Sequence, residues 1–257
     1  MPLDLVEGEK YNLAMATGTS GTEFKRIVVL ANSIKKHARC VAGRDVGVGS
    51  GLTTGGWVRP ISGESEGELE PRHMRVNDNR PLKVLAIVDV PVTHRMRDPV
   101  HPEDWIVDAT RSWKRVGQLT PGNVEEFEEY PIDLWLESPS NTDRATGAFL
   151  RKRPKHQSLY LVRPSELRIE LSFVHNQFKK VDQKRTRAKF SYCRHEYEMG
   201  LTDPIFTDRY CTAFPSLGAK PSTVRPPYQD ECLLCVSLTP EFNGYHYKVV
   251  AAILELL

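Results

Sequence analysis

No apolar run in this 257-residue sequence is long enough to cross a bilayer, which as a helix takes roughly 20 residues. The longest, Val249–Leu257, is interrupted by Glu255. Met1–Lys10 is acidic and lacks the apolar core of a secretory leader. The expectation is therefore a cytoplasmic protein with no membrane partner. Cysteine is sparse: Cys40, Cys193, Cys211, Cys232 and Cys235 are five in all. An odd, scattered set in a chain of this size excludes a disulfide framework. Catalytic signatures are missing as well. There is no G-x-S-x-G, no H-E-x-x-H, and no carboxylate pair set beside a lysine as in metal-dependent nucleases. The glycines of 43–56 are not followed by the Lys-Ser/Thr of a phosphate-binding loop. These absences point to a non-catalytic protein without a cofactor. Cys232-Leu-Leu-Cys235 has the spacing of a metal knuckle. It sits in an apolar strand-like run, however, where residues three apart face opposite sides, so no metal is expected.

What is present is β-rich. Lys25–Asn32, Arg39–Gly43, Gly56–Ser62 and Leu82–Pro91 are short apolar runs rich in β-branched residues, separated by glycine and proline. Pro60 and Pro91 are expected at strand ends or edges, because proline cannot donate to a ladder. Residues 99–148 carry Trp105, Trp113 and Trp135 and an acidic stretch, Glu125–Glu129. They read as a bridge, with a short helix capped by Asn123. A second β series follows in Ser158–Arg163, Glu166–Phe173, Arg187–Met199, Cys232–Leu238 and Tyr245–Leu254. In Glu166–Phe173, residues Leu167, Ile169, Leu171 and Phe173 share one face. Asn243-Gly244 marks a hairpin turn, and the prolines 215–227 mark a long loop.

The pieces Lys25–Ser33, Arg39–Gly43, Gly56–Ser62, His101-Pro-Glu-Asp-Trp-Ile106, Ser158–Leu161, Leu201–Pro204, Cys235–Leu238 and Gly244–Ala252, in that order, resemble the bacterial dual OB-containing domain family. The resemblance spans residues 25–254. It implies a mainly β fold: two small OB-like barrels joined by a Trp-rich irregular or helical bridge. It also implies a setting in bacteria and mobile elements such as defence systems, and nucleic-acid binding by analogy of fold. The expected division is a flexible extension over 1–24, the first barrel plus bridge over 25–150, and the second barrel over 151–257.

Net charge is only +2, but it is unevenly spread. Arg151–His195 holds thirteen Lys/Arg against three Asp/Glu, whereas 103–143 holds ten acids against three bases. A basic face can therefore exist on a nearly neutral chain. Its densest part is Phe178–Phe190, read as a hairpin loop between two strands. OB barrels bind single strands with a cationic groove and aromatic platforms. Lys179, Lys180, Lys184, Arg185, Arg187 and Lys189 are the phosphate candidates, and Phe190, Tyr192 and Trp57 the stacking candidates. The competing reading is a solvated loop over core aromatics. Trp57 and Arg59 alternate onto one face and also have two readings: base stacking and phosphate contact, or a core tryptophan and an arginine capping a barrel end through carboxylates. The expected partner is single-stranded DNA or RNA. The alternative is a protein-interaction adaptor using the acidic bridge and the Pro-rich loop; a nucleic-acid-processing enzyme is the third reading.

Overall fold

The computed structural model describes residues 21–35, 38–47, 54–64, 67–153, 156–176, 180–228 and 231–256. Most of the expected N-terminal extension, and Lys179, lie outside the described residues.

Strands β1 (Glu23–Lys35), β2 (Ala38–Asp45), β3 (Trp57–Ile61), β4 (Ala86–Arg95), β5 (Asp104–Val107) and β6 (Lys114–Gln118) form the first sheet. Its order is β1-β2-β3-β5-β4-β6, and β1 also pairs with β4. The path β1-β2-β3-β5-β4 therefore closes on itself as a five-stranded barrel, with β3 and β5 parallel and its other neighbours antiparallel. This is the OB arrangement, in which closure removes the exposed sheet edges. Pro60 and Pro91 lie inside strands rather than at their ends. Pro91 is tolerated because it sits at a handover. β6 pairs with β4 up to Asp89, and β5 takes over from Val92.

The expected bridge of 99–148 is shorter in the fold, since β5 belongs to the first barrel and β6 extends its sheet along β4. After β6 comes a 3-10 helix, Pro121–Phe127. Its N-cap is Thr120 rather than Asn123, because Pro121 occupies the first turn, where its missing N–H costs nothing. The chain then enters β7 (Arg144–Thr146) and α1 (Gly147–Lys152), whose N-cap Thr146 accepts from the Phe149 amide.

The second sheet comprises β7, β8 (Leu159–Val162), β9 (Ser165–Asn176), β10 (Val181–Tyr192), β11 (His195–Leu201), β12 (Ser222–Val224), β13 (Cys232–Phe242) and β14 (Tyr245–Glu255). Helix α2 (Pro204–Tyr210) lies between β11 and β12. The central order β9-β10-β11-β14-β13 repeats the first barrel strand for strand, including the parallel third-to-fifth pair, β11 with β14. Among the described pairings β9 and β13 do not meet. β12 covers β9 and β8 covers β13 instead.

The apolar runs explain how the halves join. Along β1, Ile27 and Val29 point into the first barrel, while Val28 and Leu30 point the other way. Along β13, Cys232, Leu234 and Val236 enter the second barrel's core, and Leu233 and Cys235 face outward. The two outward faces meet. Val28, Leu30, Ala42, Trp57, Leu159, Leu161, Leu233 and Leu254 belong to one buried cluster. A strand apolar on both sides is buried on both sides, and here one side is a barrel core and the other the joint between barrels. The same alternation places Cys232 and Cys235 in different clusters.

Candidate nucleic-acid interface

The basic segment is strand rather than loop. Val181–Tyr192 is β10, paired with β9 over Val181–Ser191 and with β11 over Arg187–Tyr192. Alternation supplied the wrong expectation only for its first half, whose charged residues mask the strand pattern. Further along, Ala188, Phe190 and Tyr192 point into the core, and Arg187 and Lys189 point out.

The stacking assignments do not hold, because a base needs an accessible ring face. Phe190 is 3% exposed and stacks on buried Tyr197, with centroids 5.7 Å apart. Tyr192 is buried and its hydroxyl donates to the Pro131 carbonyl at 2.8 Å. Trp57 is 6% exposed, and its Nε1 donates to Glu129 Oε2 at 2.8 Å. Arg59 takes the second of its two readings. Its Nε donates to Asp104 Oδ1 at 2.5 Å, and its Nη1 reaches the Leu238 carbonyl of β13 at 3.3 Å. Burial opposes the charge on Arg59, but Asp104 and Glu103 outweigh it and raise its pKa above the ordinary value. Trp57 and Arg59 thus fasten one barrel to the other.

The cations divide along β10. Lys189 Nζ lies 2.6 Å from Glu170 and 3.5 Å from Glu198, and Arg187 contacts Glu198 at 3.0 Å and Asp143 at 3.4 Å. These charges are already neutralised. Lys180, Lys184 and Arg185 are exposed, and among the described residues none is in an ion pair. Asp182, their acidic neighbour, is engaged by His175 at 2.7 Å. The free cations cluster where the β9–β10 hairpin runs past the core. Lys184 continues the core face, opposite Phe173, and its Nζ lies 4.9 Å from the centre of the Phe214 ring. Arg185 lies on the other face.

Phe173 and Phe214 are half-buried. They are ring surfaces beside a free cation, Phe173 on the hairpin opposite Lys184 and Phe214 on the loop packed against Lys184. Phe173 ends the alternating face of β9, so its position was visible in the pattern, though its partial exposure was not. Phe214 comes from the Pro-rich excursion and carries no local signal.

By strand position the β9–β10 hairpin is the connection between the first and second strands of the second OB sheet, one of the connections through which OB barrels bind oligonucleotides. A model of the dual OB-containing domain matches residues 25–253. The chain belongs to the dual OB-containing domain family. Comparison with curated proteins and with solved structures gave no match. The family match covers both barrels and the bridge, in keeping with the strand order repeated in the two sheets. Among the described residues no helix is long and apolar enough to cross a membrane, and no group of three or more His, Cys, Asp or Glu is placed to hold a metal ion.

The His101–Ile106 segment runs from the β4–β5 connection into β5, and its first residues reach the joint between the barrels. Glu103 Oε1 accepts from the Ser158 amide at 2.7 Å and Oε2 from the Ser158 hydroxyl at 2.9 Å. Burial raises the Glu103 pKa despite these bonds and the nearby Arg59. His101 Nδ1 lies 3.2 Å from Asp98, and its ring meets His246 edge-on at 5.3 Å. Burial, with Arg59 nearby, lowers the His101 pKa.

Proposed function

We propose that this chain binds single-stranded nucleic acid, DNA or RNA, without catalysing a reaction. The phosphates meet Lys180, Lys184 and Arg185, and bases rest against Phe173 and Phe214. The observation that carries the reading is the cluster of cations without carboxylate partners on a projecting hairpin of an OB sheet. A solvated face usually balances its charges, as Arg187 and Lys189 do. A non-catalytic role is supported at the joint between the barrels, where Arg59 and Glu103 are committed to structural partners.

The test is fluorescence anisotropy with labelled single-stranded DNA and RNA across a salt series. Each phosphate contact contributes about −0.7 to the slope of log K against log salt for a single strand. The Lys180/Lys184/Arg185→Ala variant is expected to bind more weakly, with the slope shallower by about 2. Equal affinity and slope in the variant would overturn the assignment.

A protein-adaptor reading has one observation of its own. Tyr130 and Ile132 are 80% and 82% exposed on the bridge, held outward by Pro131 between them, whose carbonyl is tied to Tyr192. A stoichiometric protein that co-purifies with wild type, is lost in Tyr130→Ser/Ile132→Ser, and carries no nucleic-acid absorbance would favour it.

A further inference from the structure

Three histidines gather where the barrels meet, and each takes part in a contact across the joint. His101 lies in the β4–β5 connection of the first barrel. Its ring meets that of His246, on β14 of the second barrel, edge-on with centroids 5.3 Å apart. His156 precedes β8 of the second sheet, and its Nε2 lies 2.8 Å from the Val100 carbonyl in the same first-barrel connection. The apolar cluster that joins the barrels contains no histidine or carboxylate.

Hydrogen bonding fixes where the neutral rings carry their proton. A carbonyl only accepts, so His156 Nε2 is the donor and Nδ1 is bare. Asp98 lies 3.2 Å from His101 Nδ1, which makes that nitrogen the donor and leaves Nε2 bare. Both bare nitrogens are buried and, among the described residues, have no hydrogen-bond partner. A proton added to either becomes a buried N–H with no acceptor, which costs the desolvation of the donor with nothing in return. His246 differs. Its Nδ1 donates to the Thr239 carbonyl, and the Glu241 carboxylate lies 3.8 Å from its Nε2 to receive a second N–H.

The surrounding charges act in both directions. Arg59 of β3 opposes a charge on His101, while Asp98 and Asp104 favour it. Arg153, at the end of α1, opposes a charge on His156, as do His101 and His246. Burial is the largest influence on both rings, and it lowers both pKa values. Glu103 works the other way. Burial raises its pKa, so its own titration favours the closed joint in acid and partly offsets the histidines.

We propose that His101 and His156 form an acid-sensitive latch between the barrels. The joint holds while both rings are neutral and loosens when they take up protons, because only water entering between the barrels can accept from the new N–H groups. Rings reached by water titrate near about 6.5, and the closed joint keeps them below that. The loosened state therefore binds more protons. The closed joint is fully stable above about pH 6.5 and weakens as pH falls through the window below it.

The test is amide hydrogen exchange on the full chain at pH 7.5 and pH 5.5, each rate taken relative to an unstructured amide at the same pH. The Ser158 amide, bonded to Glu103, and the Ile34 amide, bonded to the Thr202 carbonyl, report the joint. Paired amides of β4 and β10 report the barrels. Protection at Ser158 and Ile34 is expected to fall about tenfold or more at pH 5.5, with a smaller change in β4 and β10. In His101→Asn/His156→Gln an amide replaces each donating nitrogen and neither side chain titrates, so this fall should vanish. Asp98→Asn, at a partly exposed position, removes a carboxylate that favours charged His101 and should move the loosening to lower pH. Unchanged protection of the joint in wild type overturns the latch. So does an equal loss in β4 and β10, which marks acid unfolding of the whole chain, or a pH response kept by the folded double variant. Should the double variant not fold, a midpoint unmoved in Asp98→Asn overturns it.

Discussion

At Glu129 one carboxylate serves both barrels. It accepts from Trp57 Nε1 of the first barrel, and from Gln157 Nε2 at 2.9 Å and the Leu161 amide at 3.0 Å on the second side, while Arg44 lies 3.0 Å away. Replacing it by an apolar residue strands several donors at once. Glu129→Leu is expected to cost about 2 kcal/mol or more, read from urea unfolding, while hairpin binding of the folded variant stays at the wild-type level. Lys248 gives a pH signature. It is 1% exposed, its Nζ donates to the Asn141 carbonyl at 2.8 Å, and burial pulls its pKa down to about 8. The unfolded chain, with the lysine near its ordinary value, holds more protons between pH 8 and about 10.4. Through this group stability therefore rises with pH across that window and is lowest below it. Unfolding free energies measured from pH 7 to 10.5 should show a rise in wild type relative to Lys248→Met. Parallel curves would refute the assignment.

At the scale of elements, the hairpins were the most legible parts. Asn243-Gly244 forms the β13–β14 turn with both residues at positive φ, 51° and 79°. The β10–β11 turn uses Cys193 and Arg194 at φ 47° and 68°, a left-handed conformation that ordinary residues enter at a cost. Cys193→Asn/Arg194→Gly is expected to raise stability by about 1 kcal/mol, seen as an increased Tm with no change in strand binding. The alternation of Glu166–Phe173 gave the core face of β9 correctly through Leu171. It failed at the basic segment, because charges on both faces of a strand that outruns its core leave no period to read. That is also where the free cations are, so the least patterned part of the sheet carries the proposed interface.

For the whole molecule the decisive feature is the shared cluster between barrels. Val28, Leu30 and Trp57 pack with Leu161, Leu233 and Leu254, and the Ile34 amide bonds the Thr202 carbonyl across the joint at 3.1 Å. Two barrels joined by a buried core should melt together. A single calorimetric transition with matching calorimetric and van't Hoff enthalpies is expected, and Leu30→Ala should lower that one transition, at a cost of about 2–5 kcal/mol. Two resolved transitions, with only one responding to Leu30→Ala, would contradict this. A cut at residue 150 passes through α1 and leaves the outward faces of β1 and β13 uncovered, so the halves made that way should be less soluble than the whole.

The sequence by itself determined the β class, the two successive strand sets, the turns and the family, because strand alternation, turn chemistry and ordered motifs are local properties of the chain. It also contained the joint between barrels, as the doubly apolar runs of β1 and β13, but gave no partner for their second face. Only the tertiary structure decided that Trp57 and Arg59 are fasteners, that Phe190 and Tyr192 are core, and that, among the described residues, Arg187 and Lys189 are paired with carboxylates whereas Lys180, Lys184 and Arg185 are not. Each of those outcomes depends on what lies across a sheet or across the joint. Glu129 is 72 residues from Trp57, and the Leu238 carbonyl is 179 from Arg59. Separations that long leave no trace in local pattern.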